Sequence, residues 1–407
     1  MLRLLRAHTW LAVICGAMFL TAGGVGLSNP VLSLYGQSFG VSASLVGFYI
    51  TTFAVGRLIA TIPAARSADR WGYRKLLILG PIVVALGTLG LASAASYPQL
   101  VAFRFVQGIG SAINLSAGFL AVADLSAPEE RGSITGLFQG SMLLGLAVMP
   151  AVSGVLAASY GLRAPLYGAA LLACMAGLLN WWRFPESRME HPQVVGAQPP
   201  SPTAPARGLL TNRSFVMAAL AALIILVARS GSRTTILPLL GHELLGLDTR
   251  QVGLAFSLIA GVNFLVAPAG GVLADGLGRK PAVILGLGIY SVGLGLIGFA
   301  TSFAWIALGG VLIGIGTGLG EPSIFASITD MAPKGRYGAI YGLFLTLRDL
   351  GLLAGPIVSG WLADYVGLRF PIVLNAAAMF GIALLFGLIA KETQPVAVAR
   401  RLPNSIP

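Results

Sequence analysis

Long apolar runs separated by short polar breaks dominate this chain. Twelve such runs can be drawn, at 10–34, 44–65, 76–96, 99–121, 134–158, 164–184, 214–239, 251–273, 282–300, 303–328, 338–362 and 370–390. Each matches the roughly 20 apolar residues needed to cross a bilayer. None alternates with the period of two that marks a strand. Backbone in hydrocarbon must satisfy its own hydrogen bonds, so the pattern predicts helices. The first run follows Arg3 and Arg6, as in a signal peptide, but it continues to Leu34. That outlasts an h-region of about 7–15 residues, and a retained span is expected.

One polar connection is long. Residues 185–213 contain HPQVVGAQPPSPTAPARG, a Pro-rich stretch of small residues that cannot bury a core and behaves as an extended linker. The predicted organisation is a six-helix bundle over 1–184, the linker 185–213, a second bundle over 214–391 and a tail over 392–407. The fold class is therefore an all-α membrane protein of twelve transmembrane helices in two pseudo-symmetric bundles.

Composition agrees. Of 407 residues, 56% are hydrophobic and 10% charged, against about 25% charged in soluble domains. The net charge of +12 could suggest a nucleic-acid partner, but most of the 26 Lys and Arg lie in loops and they form no basic face. Eighteen fall on the side of the N-terminus, while Arg163, Arg250 and Arg369 fall on the other and five lie within spans. By the positive-inside rule both termini and the linker are expected in the cytoplasm. The expected setting is a bacterial cytoplasmic membrane, with the lipid bilayer as surroundings and a monomer as the working unit.

The halves repeat each other. A single offset of 206 carries Asp69 to Asp275, Gly72 to Gly278, Asp124 to Asp330, Gly145 to Gly351, Pro150 to Pro356, Gly154 to Gly360, Arg163 to Arg369 and Pro165 to Pro371. Shared apolar composition alone would not hold this register at Asp, Pro and Arg. Parallel six-span repeats are a transporter architecture, with the substrate site between halves near the midplane.

These residues resemble the major facilitator superfamily over essentially the whole chain. The loop after the second span, Asp69-Arg70-Trp71-Gly72-Tyr73-Arg74-Lys75, matches the family's G-x-x-x-D-R-x-G-x-R-K signature, with Ala65 in place of its first Gly. A second copy, Gly271-x-x-x-Asp275-Gly276-Leu277-Gly278-Arg279-Lys280, follows the eighth span. Arg104, Gln107 and Gly108 resemble R-x-x-Q-G, and Asn29-Pro30 opens a partial match to an element of drug:proton antiporters. The fifth span resembles the antiporter motif at Gly136, Gly145, Pro150 and Gly154, departing at Met149 and Ser153. The eleventh fits better, through Gly342, Gly351, Gly355, Pro356 and Gly360. The resemblance implies a proton-coupled exporter in which Asp69 caps the eleventh helix. Such a cap is worth typically about 0.3–1 kcal/mol. Arg70, Arg74 and Lys75 can pair with Asp124, Glu129 and Asp330 when the cytoplasmic gate is shut. Asp275, Gly278 and Arg279 repeat the device. Asp69→Asn is therefore expected to slow transport with expression unchanged, and wild-type flux from that variant would remove the gate role.

Ionisable groups within spans are costly and are candidates for function. They are Arg57, Arg104, Arg229, Arg233, Glu321, Arg348 and Asp349. Spans three, six, nine and twelve carry none, as the family's peripheral helices would. Five guanidiniums against two carboxylates predict a cavity for anionic or zwitterionic substrates. Arg229 and Arg233, four apart, would share one face of a regular helix; Arg233 could alternatively snorkel outward. Glu321 and Asp349 are the proton-coupling candidates, and the resemblance adds Arg104. A static ion pair with Arg348 is the other reading of Asp349. Asn29 and Asn114 either contact substrate or make interhelical hydrogen bonds. The glycines and prolines of spans five and eleven allow close approach and bending.

Other chemistry is poorly supported. Gly293-Leu294-Gly295-Leu296-Ile297-Gly298 fits G-x-G-x-x-G but lies inside a span, where helix packing explains it. No phosphate-binding loop, metal-ligand spacing or catalytic pair stands out, so neither enzyme activity nor a cofactor is expected. The sequence reads as an alternating-access transporter of a small organic molecule. Proton-coupled export leads; proton-coupled uptake of an organic anion, or a transporter-like sensor without flux, stays open.

Overall fold

The computed structural model describes residues 9–127, 130–185, 212–331 and 337–393. Most of the linker and nearly all of the C-terminal tail lie outside them. Twelve helices cross from end to end. The first six are α1 (Thr9–Gln37), α2 (Ala43–Trp71), α3 (Tyr73–Ala92), α4 (Tyr97–Leu125), α5 (Arg131–Tyr160) and α6 (Ala164–Arg183). The second six are α7 (Arg213–Leu245), α8 (Thr249–Leu277), α9 (Arg279–Gly298), α10 (Phe303–Met331), α11 (Tyr337–Val366) and α12 (Arg369–Ile389). No strand occurs among the described residues. The chain is an integral membrane protein by the length and composition of these helices.

The repeat read in the sequence is a repeat of contacts. Gly80 of α3 lies against Asn114 of α4, and Gly286 of α9 lies against Gly320 of α10; a Cβ at either glycine would sit 2.6 Å from its neighbour's backbone. Arg163 donates to the carbonyl of Ala94 (3.2 Å) beyond the end of α3, and Arg369 to that of Ala300 (2.9 Å) beyond α9. Each satisfies a carbonyl at a helix C-terminus that has no partner within the helix. Gly72 (φ 75°) and Gly278 (φ 100°) make the tight turns into α3 and α9, a conformation that side chains resist.

Helices α3, α6, α9 and α12 pack within their own halves, and the two long seams between halves are α2 on α11 and α5 on α8. A Cβ on Gly47 would overlap the carbonyl of Pro356, and one on Gly253 would overlap that of Pro150. Gly360 likewise meets Ala43, and Gly154 meets Thr249. These pairs exchange under the 206-residue offset, so the seams are related by a pseudo-twofold. Gly145 closes on α1, while Gly351 and Gly355 close on α7. These glycines thus act as points where backbones touch, which small residues permit.

Among the described residues the seams are tight at one end only. We call the end carrying the turns at Gly72 and Gly278 the basic end. At the opposite end Gly154, Gly253 and Gly360 are pressed against neighbours, whereas Gly132, Gly136 and Gly342, nearer the basic end, face open space. Hydrogen bonds between halves follow the same gradient among the described residues: Ser33 to the Thr234 carbonyl (2.7 Å), Thr51 to the Leu353 carbonyl (3.0 Å) and Ala151 N–H to Ser257 (2.8 Å). At the far extremity Gln37 bonds Glu243. Asp364, in the last turn of α11, accepts from the backbone N–H groups of Ala43 and Ser44 (both 2.9 Å) and from the Ser44 hydroxyl. A carboxylate of one half thereby caps the positive end of a helix in the other. The equivalent residue of α5 is Ala158, and α8 is capped instead by its own Asp248–Gln251 capping box. The latch is therefore present on one seam only.

Candidate functional site

The site begins with a break in α7. The stretch Ala228–Ile236, ARSGSRTTI, interrupts the apolar run and winds as a π-helix. The hydroxyls of Thr234 and Thr235 bond carbonyls five residues back, at Arg229 (3.0 Å) and Ser230 (2.8 Å). Single turns of this kind occur mostly at functional positions. The segment touches several helices at once. Ser230 meets the Gly351 carbonyl of α11 (3.3 Å), and Ser232 accepts from Asn375 of α12 (2.8 Å). The Thr234 carbonyl takes the inter-half bond from Ser33.

The two arginines of this break stay within electrostatic reach of each other and of Glu321. Arg229 forms an ion pair with Glu321 of α10. Arg233 turns inward rather than out to an interface, and its guanidinium stands 5.9 Å from the ring centre of Phe256 on α8. Its Nε is buried without a hydrogen-bond partner.

Arg348 and Asp349 of α11 pair with each other, at 2.9 and 3.1 Å. Arg57 of α2 lies within electrostatic reach of both, across the seam between halves. The pairs are only partly buried: side-chain exposure is 28% for Arg229, 26% for Glu321, 23% for Arg348 and 30% for Asp349. Glu321 and Arg348 line one recess between α7, α10 and α11, together with Ala222, Ile225, Ile324, Phe325 and Phe344. Phe325 and Phe344 meet edge to face at 5.4 Å, and the Arg348 guanidinium lies 5.7 Å from the Phe325 ring centre.

Arg104 occupies the other half. It is 7% exposed, bonds Gln107, which passes the contact to Thr88 (2.8 Å), and stacks 4.6 Å over Phe53. Its Nε lacks a partner. The guanidinium is thus held by neutral groups and sits apart from the recess. Asn114 is buried where α4 meets α3, and Asn29 is partly exposed in α1.

At the basic end each half is tied within itself. Arg279 bonds Asp275 (2.5 Å) and Asp330 (3.1 Å), linking α8, α9 and α10. Glu392 accepts from the N–H groups of Arg279 (2.9 Å) and Lys280 (3.0 Å), capping α9. The corresponding contact in the first half is Tyr73 to Asp124 (3.2 Å), while Arg74 donates to the Trp181 carbonyl (3.0 Å) and Lys75 is exposed. Asp124 and Asp330 each have a partner within their own half. The side chains of Asp69 and Arg70, and the whole of Glu129, lie outside the described residues. No group of three His, Cys, Asp or Glu able to hold a metal occurs among the described residues.

Reading the sequence missed Asp364, Ser33 and the Gln37–Glu243 contact. Asp364 falls just past the apolar run of 338–362 and reads as a loop acid; only the lack of an acid at Ala158, its repeat mate, marked it.

A sequence model of the Major Facilitator Superfamily matches residues 14–275 and 223–404, which together span nearly the whole chain. The chain belongs to the major facilitator superfamily. It is a transporter in family and fold, and not an enzyme. An uncharacterised MFS-type transporter of Methanocaldococcus jannaschii is 25% identical over 88% of this chain and 92% of its own. Multidrug resistance protein 2 of Bacillus subtilis is 23% identical over 95% and 96%. A bacterial homologue of the human lysosomal transporter Spinster, solved in an inward-facing and occupied conformation, superposes with a TM-score of 0.75 at 16% identity, covering 93% of this chain and 96% of that one. At that identity the likeness speaks for the fold.

Proposed function

We propose that this transporter exports a small organic anion or zwitterion from the cytoplasm in exchange for protons, from a bacterial cytoplasmic membrane with its basic end inside. The carrying observation is the partly exposed Arg229–Glu321 pair on α7 and α10, beside a recess that also holds Arg348. A carboxylate held by a guanidinium can trade that partner for a proton or a substrate charge, and either exchange biases which end stays open. The excess of guanidinium over carboxylate within the helices supports a substrate carrying negative charge. The basic loops support the orientation. The multidrug resistance relative lends support to efflux.

Arg104 serves in this reading as a buried positive charge that sets the potential near the pathway. Asp69, Arg70, Arg74, Lys75, Asp275, Arg279 and their acids form the cytoplasmic gate, with Gly72 and Gly278 shaping its loops. The protein works as a monomer.

Flux in proteoliposomes tests the proposal. With an imposed pH gradient, an antiporter gathers substrate on the acid side, because protons leave that side as substrate enters it. Accumulation on the alkaline side would identify symport. Equal flux with and without the gradient would remove proton coupling.

A further inference from the structure

We infer that the recess between α7, α10 and α11 selects a lipophilic zwitterion, its ammonium toward Glu321 and its carboxylate toward Arg348. The inference rests on the transport reading above and narrows its substrate class.

The argument starts from how the charges are ordered. Glu321 and Arg348 line the same recess. Glu321 is paired behind with Arg229, and Arg348 with Asp349. The recess is thus flanked by a negative group on α10 and a positive group on α11, each backed by its own counter-ion. A zwitterion placed between them completes an alternating line: Arg229 positive, Glu321 negative, ligand ammonium, ligand carboxylate, Arg348 positive, Asp349 negative. No existing pair has to break, and no net charge is added to the membrane interior, where uncompensated charge is costly.

The single-charge alternatives fit worse. An organic anion on Arg348 would leave Glu321 beside it with like charge. An organic cation on Glu321 would face Arg348. Both protein groups are about a quarter exposed, so each can meet a ligand while keeping its partner.

The remaining lining sets the body of the ligand. Phe325, Phe344, Ile324 and Ile225 are hydrocarbon, and the two rings already stand edge to face. The recess holds little free volume in this conformation, so a flat aromatic or branched aliphatic body would be seated against that wall as α7, α10 and α11 part, with its polar groups held at fixed points. Coupling follows from the same placement. A proton on Glu321 removes the negative charge that the ligand ammonium needs, so proton and substrate compete.

Three probes with one aromatic body separate the charge types: Nε-dansyl-lysine (zwitterion), dansyl-cadaverine (cation) and dansyl-6-aminohexanoate (anion). Flux of each is measured with the full-length protein in proteoliposomes under an imposed pH gradient. The zwitterion is expected to move at least about tenfold faster than either other probe. Glu321→Gln should narrow its lead over the anion, and Arg348→Gln its lead over the cation; ratios taken within one preparation are insensitive to the amount of folded protein. Gradient-driven flux of the anion or the cation equal to that of the zwitterion would overturn the inference, as would movement of none of the three. Zwitterion-selective flux that ignores the pH gradient would uphold the inference while removing proton coupling.

Discussion

Glu321→Gln is expected to abolish uphill transport, lowering gradient-driven accumulation more than tenfold while leaving substrate exchange across the membrane measurable. Gln keeps the size of the side chain and an oxygen that can accept from Arg229. It cannot bind and release a proton near neutral pH. The pair to be replaced bridges α7 and α10 and borders the recess, so losing its carboxyl group removes the proposed proton site from the recess. Asp349→Asn is the comparison. Asp349 pairs with Arg348, its neighbour on the same helix, and its protonation strains no contact between helices of the second bundle. A loss of less than about threefold is expected there. Accumulation by Glu321→Gln at the wild-type level, or a larger loss in Asp349→Asn, would move the proton site off Glu321.

Asp364→Ala should release the end of the molecule opposite the basic loops. The carboxylate holds two backbone N–H groups and a hydroxyl of α2. Loss of a helix cap costs about 0.5–2 kcal/mol. One to two kcal/mol changes a two-state ratio about 5- to 30-fold. The ground state should therefore shift toward opening at that end, with the folded protein intact because the bonds cross between halves. Spin labels on Ser38→Cys and Leu244→Cys, with Cys15 and Cys174 replaced by Ala, would report the change as a longer distance. These two positions are 206 apart in sequence and so occupy equivalent points of the two halves. An unchanged distance distribution in the Asp364→Ala background would show that the latch does not hold the end shut.

The fold was legible because membrane helices announce themselves by length. The run at 44–65 grew to Ala43–Trp71, and that at 303–328 to Phe303–Met331; the additions are polar-tipped turns that hydropathy alone does not count. The repeat was legible because Pro150 and Pro356, like Arg163 and Arg369, recur at one offset, and each arginine makes the matching carbonyl contact in its own half. The site was only half legible. Charges inside spans drew attention to Arg229, Glu321, Arg348 and Asp349, yet which acid pairs with which arginine depends on helix rotation. For α7 that rotation is set by Ser and Thr hydroxyls bonding the backbone, and the 3.6-residue period does not describe it. Asp364 was invisible for a different reason. An acid at a helix end is ordinary until the helix it caps is known to belong to the other half.

The π winding of Ala228–Ile236 gives α7 slack, and slack in a helix is a screw. Rewinding it by one residue to the ordinary register would turn everything beyond it by about 100° and advance it by about 1.5 Å. Leu237–Leu245 would swing as a unit, carrying Glu243 away from Gln37, while the Thr234 carbonyl would be withdrawn from Ser33. Motion at the ion pair beneath would then be felt at the mouth of the molecule without any bundle having to tilt. A cysteine-accessibility scan through 237–245, with and without substrate, would register such a turn as a shift in which side chains face water.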